Sequence, residues 1–418
     1  MHKHLRASAG AAAALAITAV LAGCGSSASS TAGSTGTPGG TVTWWSPNWD
    51  TPVAKQLVTD FEQKNPGITV NIVETTSATI ANKISVALNS GTTPDVITEL
   101  ASRTQQYIAK GQLTDLSSLY GSTMPQSDFL PGTLTDVSKG STPYAVPYRW
   151  DNVSLIYNKD LFAAAGITAA PTNLAELEAD AKTLTKGDTT GIGWPMGNND
   201  NTVLRFFGLA ASAPTDAATN VNGVAHLTEA STTQALDIMS GSIKDGWASK
   251  SSLEVDSTGL RQLFENKQVA MYLGGVYDLI ELQAKGMNVG TALMPGFSGP
   301  SLTAANGWVF IVPKAAKNVT AAEKFIQYLA APDVMAKLTL TFPARISAGS
   351  DPKFHTALAA PFYDQLSKYA VLAPYDPSWG VLEPTLFAQI QSVALGKTAS
   401  ADAAKTIQDA ATAASAGK

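Results

Sequence analysis

Cysteine is almost missing from this chain: Cys24 is the only one in 418 residues. A lone cysteine forms neither a disulfide within the chain nor a cysteine-based zinc site. Histidine is nearly as scarce, and none of His2, His4, His226 and His355 stands in an H-E-x-x-H setting. The closest approach to a nucleophile elbow, Gly296-Phe297-Ser298-Gly299-Pro300, has proline where the last glycine is needed. Charge is thin as well. Without Lys3 and Arg6 the chain holds 26 basic and 33 acidic residues, with no run of five like charges. No basic stripe exists to neutralise phosphates, so nucleic acid is not an expected partner. Past the first 22 residues no apolar stretch approaches the roughly 20 residues that a spanning helix needs, and the body is expected to be soluble.

What is present begins around that cysteine. Lys3 and Arg6 head an apolar, Ala-rich segment over residues 10–22 that is too short to span a bilayer. It reads as the apolar region of a secretory signal over residues 1–23, without twin arginines. Leu21-Ala22-Gly23-Cys24 resembles the bacterial lipobox, in which the cysteine is acylated; Cys24 is the expected lipidation site. Residues 25–40 contain only Gly, Ser, Ala, Thr and Pro. With nothing to bury, residues 24–40 read as a flexible tether, about 20 to 25 Å long by random-coil scaling. Two or three acyl chains would make such anchoring stable.

From Thr41 strand-like and helix-like patterns alternate. A β-branched and aromatic run at 41–45 gives way to Val53, Leu57, Val58 and Phe61 at helical spacing, which Asn65-Pro66-Gly67 stops. Ile68, Val70 and Ile72 alternate as in a strand, Ile80, Ile84 and Leu88 return to the helical period, and Val96-Ile97 makes a third apolar run. This β-α-β-α-β progression implies α/β architecture, with a mainly parallel sheet flanked by helices and ligands beyond the carboxyl ends of its strands. A second body starts near Val153. There Asn173 and Glu176 are spaced for a capping box, Gly187 is placed to end the helix, and Val269, Met271 and Leu273 alternate. About 378 residues suit two lobes better than one.

Several segments in order resemble the extracellular solute-binding proteins of carbohydrate ABC importers, the group that includes maltose-binding protein. They are Thr41-Val42-Thr43-Trp44-Trp45, Thr93-Pro94-Asp95-Val96-Ile97, Leu155-Ile156-Tyr157-Asn158-Lys159-Asp160-Leu161-Phe162, Lys267-Gln268-Val269-Ala270-Met271 and Phe342-Pro343-Ala344-Arg345. The resemblance implies a periplasmic-binding-protein-like fold of two α/β lobes joined by crossover segments. Lobe one would hold residues 41–148 plus 308–343, and lobe two 149–307 plus 344–418. It also implies a carbohydrate ligand in the cleft, an ABC permease as partner, a lipid anchor on the extracytoplasmic face of the cell membrane, a monomer, and no cofactor or metal.

A sugar offers hydroxyls that donate and accept, and apolar ring faces, so its site needs carboxylates, Arg or Asn donors and flat aromatic walls. Trp45, Asn48, Trp49 and Asp50 supply most of that set at the cleft end of the first strand, while Trp44 continues the alternation from Val42 into the core. Glu99, Ser102 and Arg103 follow the third strand, where the resemblance implies contacts made by an aromatic, an acid and a base; Glu99 replaces the aromatic and Ser102 the acid. Tyr148 and Asp151 lie in the first crossover, and Asp151 matches an acidic contact of the family; a plain hinge carboxylate is its other reading. Asn199 and Asp200 fall where the second lobe gives polar contacts. Tyr277 matches a stacking aromatic, Arg345 a hinge-loop position, and Trp379 a second stacking surface; Trp308 is expected to pack in the core. Two other readings stand beside a sugar receptor. One is a surface-anchored glycoside hydrolase or lyase using Asp151 and Glu99. The other is a receptor for a polyamine or quaternary amine held by cation–π contact.

Overall fold

In the computed structural model residues 39–416 are described, apart from 198, 222, 223, 375 and 376; the signal segment, Cys24 and nearly all of the tether lie outside them. The chain opens as its periodicity predicts. Strand β1 (Gly40–Pro47), helix α1 (Thr51–Lys64), β2 (Ile68–Thr75), α2 (Ser77–Ser90), β3 (Val96–Leu100) and α3 (Ala101–Ala109) follow one another. β1 pairs in parallel with both β2 and β3. Alternation along β1 sends Trp44 fully inward, where its Nε1 donates to Thr98 Oγ1 at 3.0 Å and its ring meets Phe310 and Phe325 edge-on.

β4 (Ala145–Asp151) ends in the first sheet, and after the single residue Asn152 the chain enters the second sheet as β5 (Val153–Asn158). Helix α4 (Leu174–Leu184) then starts where expected: Asn173 Oδ1 accepts from Glu176 N, while Glu176 reaches one residue further back, to the Thr172 N and Oγ1. Gly187 follows the helix at a φ of 62°. β6 (Thr190–Gly193), β7 (Val269–Gly275), helix α5 (Val276–Ala284), β8 (Val289–Ala292) and β9 (Thr303–Ile311) complete the framework. All seven residues of β7 are buried, since it is an inner strand covered on both faces.

The first sheet runs in the order Phe342–Pro343, β4, β9, β3, β1, β2, and the second in the order β8, β5, β7, β6. The result is a two-lobed α/β fold, with one correction: the sheets are mixed, not mainly parallel. β9 is antiparallel to β3 and β4, and β5 is antiparallel to β7 and β8. The segments that carry the chain from one sheet to the other run against the strands they join, which needs no long crossover.

Two hydrophobic cores result, and the second sheet contributes to both. Ile156 and Tyr272 join the core of Trp44 and Phe325, whereas Leu155 and Leu273 join Phe206, Leu236, Leu386 and Ile407. Strand alternation divides them. Residues after Pro343 are shared as well, because Ala344, Phe354, Phe362 and Leu366 pack with the first core. No helix among the described residues is long and apolar enough to cross a membrane.

Asp136 is an isolated acid in the first core's shell. It is wholly buried, both carboxyl oxygens have no hydrogen-bond partner, and only its carbonyl is used, by Thr104 Oγ1 and Gln105 Nε2. Burial pushes its carboxyl well above the usual range. The folded chain therefore binds that proton more tightly than the unfolded one does. The contribution is full at pH below the unfolded value and is lost as pH rises towards the folded one. Urea denaturation at about pH 5 and pH 8 should accordingly find a smaller drop in stability for Asp136→Asn than for the wild type; an equal drop would contradict this.

Candidate ligand-binding site

The site grows from one register. Trp308 of β9 stands opposite Arg149 of β4, and Asn306 stands opposite Asp151. Residues two apart on a strand share a face with those opposite them, so these four side chains emerge together, while Gly307 and Trp150 face the other way. Gly307 is required there: a Cβ would lie 2.1 Å from Trp150 Cε3 and 2.3 Å from the Arg149 carbonyl oxygen. On the shared face Arg149 Nε donates to Asp151 Oδ2 at 2.6 Å. Asn306 Nδ2 donates to Ser102 Oγ at 2.8 Å, and Asn306 Oδ1 accepts from Gly307 N.

The loop after β1 adds the wall. Trp49 meets Trp308 edge to face, with ring centroids 4.9 Å apart and planes at 67°, and the Arg149 guanidinium lies 6.0 Å from the Trp49 ring centroid. Both indoles are half-buried. Two polar atoms of this corner are closed off from solvent and have no protein partner, the Trp49 Nε1 donor and the Asp151 Oδ1 acceptor, so a ligand reaches them only when the corner opens. An indole corner with one donor and one carboxylate oxygen unspent can stack against an apolar ring face while bonding a hydroxyl at its edge.

From the second lobe comes Tyr277, half-buried at the start of α5. A Cβ on Gly275 would sit 2.1 Å from its ring, so glycine is what lets the phenol fold back over the end of β7. Burial raises the Tyr277 hydroxyl above its ordinary value, Asp278 and Asp151 raise it further, and Arg205 lowers it. Asp151 and Tyr277 are thus within electrostatic reach of each other.

The other expected residues separate into groups. Asp50 and Tyr148 are both wholly buried and bonded to each other, Tyr148 OH donating to Asp50 Oδ2 at 2.6 Å. Glu99 is spent internally: Oε1 accepts from Leu100 N, Arg103 Nε and Arg103 Nη2, and Oε2 from Tyr107 OH. Arg103 is held by that carboxylate, and Ser102 by Asn306. Asn48 is exposed beside the corner. Trp45 points to the flank of α2, with Lys83 Nζ 4.1 Å from its ring centroid. Arg345 is buried in a knot of its own, donating to Asp128 Oδ2 and to the carbonyls of Ala330 and Thr123. The side chains of Asn199, Asp200 and Trp379 lie outside the described residues. Among the described residues no group of three His, Cys, Asp or Glu could hold a metal ion.

Trp308 packs against the first core with part of its surface, and with the rest forms half of the aromatic corner. Its neighbours explain this: Gly307 turns its own face onto Trp150, leaving residue 308 on the opposite, open side. Trp49 belongs to the cluster expected after the first strand, and Arg149 is the member that sequence reasoning missed. Its signal was its place two residues before Asp151, on the same strand face.

Two lobes with an indole and carboxylate corner where the chain crosses between sheets define a two-lobed binding protein. The chain belongs to the bacterial extracellular solute-binding proteins, whose family model matches residues 48–336. It is similar to a putative binding protein of Brucella abortus strain 2308, at 26% identity over 359 residues covering 83% of this chain and 85% of that relative. It is similar as well to the maltooligosaccharide ABC transporter solute-binding lipoprotein of Streptococcus pneumoniae serotype 4, at 22% identity over 360 residues and 83% of each. The solved structure of the sugar-binding protein MalE from Xanthomonas citri matches with a TM-score of 0.78 at 24% identity, covering 90% of this chain and 98% of that one.

Proposed function

We propose that this protein is the lipid-anchored receptor of an ABC importer: it captures a sugar or oligosaccharide between its lobes and delivers it to the membrane permease. The observation that carries the ligand class is the corner of Trp49 and Trp308 above the Arg149–Asp151 pair, with Trp49 Nε1 and Asp151 Oδ1 left unspent. Ser102, Asn306 and Tyr277 complete the polar and aromatic set, and the malto-oligosaccharide and MalE relatives support the same class. Cys24 would hold the body, as a monomer, at the extracytoplasmic face of the membrane. The lobes are taken to hinge where β4 passes into β5 at Asn152, near Asn306 in β9, and where residues 370–372 pair with 303–305.

The receptor binds without cleaving. A hydrolase reading needs two available carboxylates beside the bond, and both oxygens of Glu99 are occupied by Leu100, Arg103 and Tyr107. Calorimetry with mono- to tetrasaccharides, and with spermidine and betaine alongside, tests the proposal. Sugars should bind and be recovered intact after long incubation. Binding of the amines alone, or appearance of shorter sugars, would overturn it.

A further inference from the structure

Asp50 is used in an unusual way for an acid that precedes a helix. It stands at the N-cap of α1, yet its side chain makes no capping bond. Oδ2 instead accepts from Tyr148, 98 residues along the chain, and Oδ1 has no partner. Tyr148 is the extra residue of a bulge in β4, since Trp308 pairs with Arg149 and Val309 already pairs with Pro147. Bulges re-aim the side chains that follow them. Stacking on Phe310, at 4.5 Å and 18°, fixes the phenol from its other side. The bond therefore ties together two backbone segments next to the residues that form the corner: Trp49 precedes Asp50, and Arg149 follows Tyr148.

We propose that the Asp50–Tyr148 bond is a positioning clamp that sets the Trp49–Arg149 wall of the ligand site, and that it slackens when Asp50 takes up a proton. The proposal rests on the reading above that this wall faces the ligand. The proton comes from solvent and goes to the carboxyl, whose Oδ1 is unspent; the bond from Tyr148 then loses its charge assistance, and Arg149 loses one of its two carboxylate neighbours. Among the described residues the titratable groups that bear on Asp50 are Tyr148, Arg149 and Asp151, all on β4. Burial pushes the Asp50 carboxyl up to about 6, the bond from Tyr148 and the charge of Arg149 pull it down, and Asp151 pushes it up.

Tryptophan fluorescence of the ligand-free protein between about pH 4.5 and 8 tests the clamp without any ligand. A transition near pH 6 is expected. It should vanish in Asp50→Asn and in Trp49→Phe, move to higher pH in Tyr148→Phe, and move to lower pH in Asp151→Asn. Calorimetry with maltotriose should then find binding about ten-fold weaker at pH 5 than at pH 7.5 in the wild type, and flat with pH in Asp50→Asn. A transition that survives in Asp50→Asn, or a Tyr148→Phe midpoint that stays or falls, overturns the clamp. Absence of sugar binding with the fluorescence pattern intact overturns the ligand reading and leaves the clamp standing.

Discussion

Trp308→Ala should weaken sugar binding by about 2–4 kcal/mol, a factor of roughly 30 to 1,000, whereas Trp45→Ala should leave it within about three-fold. The contrast follows from where two indoles of the same sequence type are sent. Trp308 stands half-open opposite Arg149 and against Trp49, at the centre of the group of unspent polar atoms. Truncating it removes the stacking wall and also exposes the Arg149–Asp151 pair to water, which weakens every polar contact beside it. Trp45 lies under the Lys83 ammonium on the flank of α2, on β1 and four residues before Trp49. Calorimetry decides the matter, with thermal unfolding of each variant as a check on folding. Trp308→Phe should recover part of the affinity, since a smaller ring still offers a flat face. If Trp308→Ala binds as the wild type does, the ligand is held elsewhere.

Those two tryptophans also mark how far the sequence could be read. The β-α-β-α-β run was legible because each element announces itself within its own residues. Val53, Leu57, Val58 and Phe61 give a helix, Ile68, Val70 and Ile72 a strand, and the alternation from Val42 sends Trp44 inward. Asn173 and Glu176 marked a helix start for the same reason. Nothing local announces that β9 returns to lie antiparallel between β3 and β4. The pairing of Trp308 with Arg149 joins residues far apart in the chain and leaves no periodicity in either segment. Hence the expectation of mainly parallel sheets failed at β9 in the first sheet and at β5 in the second, and Trp308 on β9 is only half-buried against the core. Glu99 is a different case. Arg103 and Tyr107, one turn apart on α3, share the face that looks back at Glu99 near the end of β3, and both bond its carboxylate and withdraw it from the cleft. That signal was present in the sequence.

A substitution expected to damage fold and site together, Gly307→Ala, adds only one methyl group. It should lower the unfolding free energy by about 3 kcal/mol or more and abolish high-affinity binding at the same time. The new carbon would sit 2.1 Å from Trp150 Cε3 and 2.3 Å from the Arg149 carbonyl oxygen, and neither neighbour can step aside. Trp150 is almost wholly buried, and the carbonyl belongs to the strand paired with β9. Relief would have to come from parting β9 from β4, the two strands whose opposed residues make the Trp308–Arg149 and Asn306–Asp151 arrangement. Stability and binding therefore fail together here. Gly241, within the helix Glu229–Lys244, provides the opposite outcome, because a Cβ there meets nothing within 4 Å. Gly241→Ala should raise stability by up to about 1 kcal/mol through reduced backbone entropy of the unfolded chain, with binding unchanged. Denaturant unfolding and sugar calorimetry on the two variants separate these effects. A Gly307→Ala protein as stable as the wild type would mean that β9 and β4 are not packed closely enough to fix the aromatic corner.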